Sequence, residues 1–163
     1  VETPALAAAC FLVPALPIGL WVAWSDLSRM KIPNKAVLAL ALGFAVVGPF
    51  VLPLADYGWR WVHLAVMLVV GIVANAVRLM GAGDAKFIAA AAPYVALGDL
   101  GTVALILAAA SVLAFAGHRL ARVSPLRARA PDWHSWEAGN RFPFGLPLAM
   151  ALIAYLALAA LAA

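Results

Sequence analysis

Seven residues of this 163-residue chain carry a carboxylate, and two of them stand where the surrounding sequence gives a carboxylate little water. Asp26 closes a long apolar run in Trp24-Ser25-Asp26-Leu27-Ser28-Arg29-Met30-Lys31-Ile32-Pro33-Asn34, and Asp84 falls in Met80-Gly81-Ala82-Gly83-Asp84-Ala85-Lys86. Two carboxyls brought together do not both ionise easily, so one keeps its proton near neutral pH. The ionised member can take a proton from water while the protonated member polarises a peptide carbonyl. Such a pair hydrolyses a peptide bond with neither a metal nor a nucleophilic side chain. Other chemistry finds little to work with. Ser25, Ser28, Ser111, Ser124 and Ser135 have no convincing histidine and acid partners, His118 and His134 are isolated, and the single Cys10 has no CxxC mate. Neither a metal nor another cofactor is called for.

The elements that must position the pair follow from composition. The chain is 67% hydrophobic and only 11% charged, with a mean hydropathy of +1.03. A soluble domain is nearer half apolar and a quarter charged, so an ordinary globular protein is excluded. The apolar runs are continuous and rich in Ala and Leu, without the alternation of a transmembrane barrel. The expected fold is all-α, a polytopic membrane protein forming a single membrane-embedded domain over residues 1–163. Six stretches approach the twenty or so apolar residues of a membrane crossing: about 5–24, 36–54, 61–79, 82–98, 101–119 and 143–162. The fourth is the shortest. The first lacks a basic flank ahead of it and does not read as a cleavable signal peptide.

With six spans the connectors alternate sides, and the basic residues choose between them. Arg29, Lys31, Lys35, Arg78, Lys86, Arg119, Arg122, Arg127, Arg129 and Arg141 fall on one side; Arg60 alone falls on the other. The positive-inside rule then places both termini outside and the first, third and fifth connectors in the cytoplasm. The net charge of +4 is thereby assigned to the lipid bilayer, not to nucleic acid. Trp21, Trp24, Trp59 and Trp61 fall at span ends, and Trp133 and Trp136 on the long connector 120–142; headgroup anchoring accounts for all six. Glu2, Asp56 and Asp99 read as solvated charges in outer turns, and Asp132 and Glu137 as loose partners of the connector's arginines.

Asp26 and Asp84 both fall on the cytoplasmic side in this reading. Counting a membrane's width back from Asp99 reaches Met80, which leaves almost no connector after the third span. Gly81 and Gly83 are therefore expected to make the turn themselves, drawing Asp84 into the membrane edge, where a carboxylate marks a functional position. Plainer accounts exist for each aspartate alone. Asp84 could cap the following helix, and Asp26 could balance Arg29 at a boundary.

Three motifs in order carry a resemblance. Asp26 followed by LSRMKIPN, GAGDAK at Gly81–Lys86, and FPFGLPLA at Phe142–Ala149 together resemble the type IV prepilin peptidases, a family of GxGD membrane aspartyl proteases. The small size, the DLxxxxIPN form and the PxG element resemble the Tad/Cpa-type branch that serves Flp-like pili. The resemblance implies catalytic roles for Asp26 and Asp84 and an active-site turn at Gly81 and Gly83, with Pro33, Asn34, Lys86, Pro143 and Gly145 in support. It also implies a bacterial inner membrane, a site facing the cytoplasm, and prepilin and pseudopilin substrates whose short basic leader is removed. Phe144 stands where Tyr is more usual, which removes a hydroxyl. The cytoplasmic insert with paired cysteines that accompanies N-methylation in larger members is absent, so the resemblance implies peptidase activity without methyltransferase activity.

Two readings of other classes compete. A transporter or proton-relay subunit would place carboxylates near mid-membrane on broken helices, where Asn75 is the nearest polar residue. A noncatalytic scaffold of a secretion machine would use the aspartates as caps only.

Overall fold

The computed structural model describes residues 1–139 and 141–162. Among them are six α-helices and no strand: α1 Ala5–Arg29, α2 Asn34–Val51, α3 Leu54–Ala76, α4 Ala82–Ala91, α5 Leu100–Val123 and α6 Gly145–Leu161. Short 3₁₀ turns occupy Ala92–Tyr94, Leu97–Asp99, Pro125–Arg129 and His134–Trp136. Four stretches are long and apolar enough to cross a membrane: Ala5–Arg29, Asn34–Val51, Leu54–Ala76 and Leu97–Val123. The apolar α6 is shorter at 17 residues, and α4 has only 10. A multi-pass membrane protein accounts for the broad apolar outer surface, on which Leu6, Val13, Phe50, Leu79, Leu105 and Val123 are each at least 74% exposed. In lipid such side chains are already in their preferred solvent.

Helix α1 packs along α6, with α2 and α5 on the outer flanks of that pair, while α4 lies against α3, α2 and α6. The core between them is aromatic and small-residue. Phe11 stacks on Phe44 at 5.4 Å between ring centroids and meets the edge of Tyr94 at 5.1 Å. The Tyr94 hydroxyl donates to the Leu40 carbonyl at 2.7 Å, so its polar tip is satisfied although the ring is wholly buried.

Two expected spans differ from the helices that form. The apolar run 82–98 is not one helix, because Pro93 has no N–H to donate and its ring obstructs a continuing α-helix. The chain leaves α4 at Ala91 and reaches α5 through the two 3₁₀ turns. Helix α3 starts at Leu54, earlier than the expected 61, and so carries Asp56 and Arg60 inside a helix.

Arg60 and Asp99 are also not solvated. They are 6% and 3% exposed and belong to one polar cluster at the end of the bundle where α1 begins. The Asp99 carboxylate accepts from Glu2 N–H at 2.8 and 2.9 Å, Thr3 N–H at 3.2 Å and the Tyr155 hydroxyl at 2.7 Å. Arg60 donates to the Pro93 carbonyl at 3.2 Å and to Thr3 Oγ1 at 3.3 Å. A buried charge is tolerable when hydrogen bonds replace its water, and this cluster supplies them. It ties the chain before α1 to α3, the 3₁₀ turns and α6.

Candidate active site

The opposite end of the bundle gathers the last turn of α1 and the first turns of α4 and α6. Asp26, in the last turn of α1, is 6% exposed. Its Oδ2 accepts from the Gly145 N–H at 2.6 Å, across 119 residues of sequence. Gly145 is the first residue of α6, so that N–H is one of those a helix leaves without an internal partner. The carboxylate therefore sits at the positive end of the α6 dipole. Pro143, fully buried just upstream, fixes the approach of the chain to this point.

Asp84 is the third residue of α4 and half-buried. It does not cap that helix: the cap position is Gly81, and no side chain bonds there. The carboxyl instead folds back over Gly81, where an added Cβ would lie 2.8 Å from Asp84 Oδ2. Ile32 links the surroundings of the two carboxyls, approaching both Gly83, the neighbour of Asp84, and Gly145, whose N–H holds Asp26. The structure thus brings the two sequence-predicted aspartates to the same end of the bundle.

The glycines do a different job from the expected one. The bend after α3 is made by Arg78, at φ 61°, while Gly81 has φ −66° and Gly83 lies inside α4. The Asn75 amide, in the last turn of α3, holds the bend by donating to the Met80 carbonyl at 2.9 Å. Gly81 and Gly83 are needed for close approach. A Cβ at Gly81 would meet Asp84, and one at Gly83 would lie 3.3 Å from Ile32 Cβ. Gly145 is the most crowded: its Cβ would lie 2.9 Å from Asp26 Oδ2 and 3.0 Å from Ile32 Cδ1.

The remaining expected residues are peripheral to the pair. Pro33 caps α2 in an extended conformation and Asn34 opens that helix. Lys86 Nζ donates to Asn34 Oδ1 at 3.3 Å in an exposed contact that joins α4 to α2. Phe144 is 36% exposed beside Gly145.

Two residues near the pair escaped the sequence. Ser25 is buried, and its hydroxyl donates to the Lys31 carbonyl at 2.8 Å, folding the end of α1 back on itself. Its polarity at the close of an apolar run was a usable signal. Ile32, an aliphatic residue in an aliphatic-rich chain, gave none.

The long connector is also more than a surface anchor. Trp133 meets Trp24 of α1 edge-on at 5.3 Å and stacks on Trp136 at 5.5 Å. Trp136, 3% exposed, stacks in turn on His118 of α5 at 4.7 Å and donates its indole N–H to the Ala130 carbonyl at 2.7 Å. This aromatic ladder joins the end of α1 that carries Asp26 to the end of α5.

The family model described as the type IV leader peptidase family matches residues 11–117. That is about two thirds of the sequence and includes both aspartates. The chain belongs to the type IV leader peptidase family. Membership makes it a peptidase acting on prepilin-type substrates. Pro143 and Gly145 lie beyond the matched stretch, and their connection to the site rests on the hydrogen bond from Gly145 to Asp26. No curated protein and no solved structure matches the chain.

Proposed function

We propose that this chain is a membrane aspartyl endopeptidase that removes the leader of Flp/Tad-type prepilins and pseudopilins by activating water between Asp26 and Asp84. The observation that carries the reading is the arrival at one end of the bundle, around Ile32, of two carboxyls 58 residues apart in sequence. Close carboxyls share a proton as a pair. One of them accepts a proton from the attacking water while the other gives its proton to the carbonyl oxygen; on collapse of the tetrahedral intermediate the oxygen returns that proton and the first carboxyl passes the water's proton to the leaving amine. The N–H of Gly145 holds Asp26 against the first turn of α6, and Gly81, which lacks a Cβ, leaves space for the Asp84 carboxyl.

The chain crosses a bacterial inner membrane six times as a single domain over residues 1–163, with both termini outside and the aspartates on the cytoplasmic side. Helix α4 rises about 15 Å over its ten residues, so the rest of this crossing is made by the two 3₁₀ turns that lead to the Asp99 cluster. Basic leaders are met on the same face by the ionised member of the pair. Lys86, Pro33, Asn34 and Pro143 support the site from its rim, and the chain acts as a peptidase alone, without N-methylation.

The test is to co-express the chain with a Flp-type prepilin and follow leader removal by gel shift and by the mass of the mature N-terminus. The expected result is removal of the leader with no added methyl group. An unprocessed prepilin beside a correctly inserted chain would sink the proposal.

A further inference from the structure

We propose that Ile32 is a positioning residue that holds the two aspartate-bearing turns in register, an inference that rests on Asp26 and Asp84 being the catalytic pair. Ile32 lies in the short connector between α1 and α2, and its backbone is fixed from both directions. Met30 N–H returns to the Asp26 carbonyl at 2.9 Å, with Met30 at φ 54°. The next carbonyl, that of Lys31, is held by Ser25. On the other side Pro33, at φ −68°, confines the residue before it to extended backbone. The direction of the Ile32 side chain is therefore set by groups that belong to the end of α1, the helix carrying Asp26.

That side chain touches the neighbour of each carboxyl. A Cβ at Gly83, the residue before Asp84, would lie 3.3 Å from Ile32 Cβ and 3.7 Å from its Cγ1. A Cβ at Gly145, whose N–H holds Asp26, would lie 3.0 Å from both Cγ1 and Cδ1. One aliphatic group thus spans the gap between the first turn of α4 and the first turn of α6. A β-branched side chain is stiff about χ1, which makes it a firm spacer. Asp26 is fixed by its bond to α6 and Asp84 by its fold over Gly81, so the contact through Ile32 sets how the two local arrangements face each other. Without the γ and δ atoms the two turns have no common stop. Ile32 acts through its glycine neighbours and need not touch the leader.

The experiment is steady-state cleavage of a prepilin by the full-length chain in proteoliposomes, comparing wild type with Ile32→Ala, Ile32→Val and Ile32→Leu. Ile32→Ala is expected to lower kcat by about 10- to 100-fold, the range for a misplacement near 1 Å, while KM stays within about threefold. Ile32→Val keeps the β-branch and should stay within about threefold of wild type, whereas Ile32→Leu, equal in volume but unbranched at Cβ, should lose more than Val. A second readout does not depend on turnover. Spin labels at the exposed positions Arg29 and Ala82, in a Cys10→Ala background, report the distance between the ends of α1 and α4. The distance distribution should shift or broaden in Ile32→Ala and not in Ile32→Val. Wild-type kcat in Ile32→Ala, a raised KM with kcat unchanged, or label distances identical in all variants would each overturn the role. A wild-type chain that cleaves no prepilin would overturn the proposed reaction instead, and the label distances would still decide whether Ile32 sets the register.

Discussion

Replacing Gly145 by Ala adds one carbon at the most crowded point of the site and leaves the backbone N–H that holds Asp26 in place. The new Cβ would lie 2.9 Å from Asp26 Oδ2 and 3.0 Å from Ile32 Cδ1 and Cγ1. Ordinary contacts for such an atom begin near 3.4 Å, so the carboxylate or the start of α6 has to move by about half an ångström. Overpacking of this kind costs about 1–3 kcal/mol. A shift of roughly half the distance that costs about 100-fold in rate predicts a kcat about tenfold lower. KM should stay within about twofold, because nothing the leader touches has been removed. The assay is prepilin cleavage in proteoliposomes, with the unfolding midpoint in SDS measured alongside. Gly117→Ala is the control: it makes the same chemical change on α5, where an added Cβ meets nothing within 4 Å, and should leave kcat unchanged. A Gly145→Ala chain that folds normally and cleaves at the wild-type rate would refute the claim that the Gly145–Asp26 contact positions the carboxylate.

Tyr155→Phe removes the hydroxyl that donates to Asp99 and meets Thr3 Oγ1 at 2.7 Å. Part of a buried carboxylate then goes unsatisfied, so stability should fall by about 1–3 kcal/mol in SDS unfolding. The kcat should not change, because the cluster lies at the far end of the bundle from the aspartates; a lost rate with normal stability would contradict this. Lys86→Met removes only an exposed contact to Asn34. It should change kcat/KM by less than about threefold at saturating insertion, and a hundredfold loss would move Lys86 into the catalytic machinery.

Much of this architecture was legible because the solvent is lipid. Continuous apolar runs locate helices without any amphipathic period, and the runs at 5–24 and 101–119 fall within α1 and α5. What misled was polarity near helix ends. Arg60 reads as a loop charge because nothing local pairs with it; its partners, Thr3 and Pro93, lie 57 and 33 residues away. Asp99 is hidden for the same reason, its partners being Glu2, Thr3 and Tyr155. The early end of α4 could have been read from Pro93, but an apolar run with a proline still looks like a span when hydropathy is the only guide.

The site divides in the same way. Charge and spacing singled out Asp26 and Asp84, since carboxylates in such surroundings are costly and conspicuous. The glycines were conspicuous too, yet their purpose was not. Flexibility and close approach both ask for glycine, and only the fold shows Arg78 making the bend while Gly81, Gly83 and Gly145 make room. The Gly145–Asp26 bond joins the two ends of the sequence and has no local signature. Nor has Ile32.

The most direct measurement is cleavage of a purified prepilin by reconstituted wild type, Asp26→Asn and Asp84→Asn, each confirmed to be inserted and folded. Asparagine keeps the shape of each side chain but can neither take the proton of water nor share one with its partner. The account predicts that each single substitution reduces cleavage to background, about 10⁴-fold or more, although Asp26→Asn can still accept the Gly145 hydrogen bond and keep α6 in place. Cleavage near the wild-type rate by either variant would contradict it.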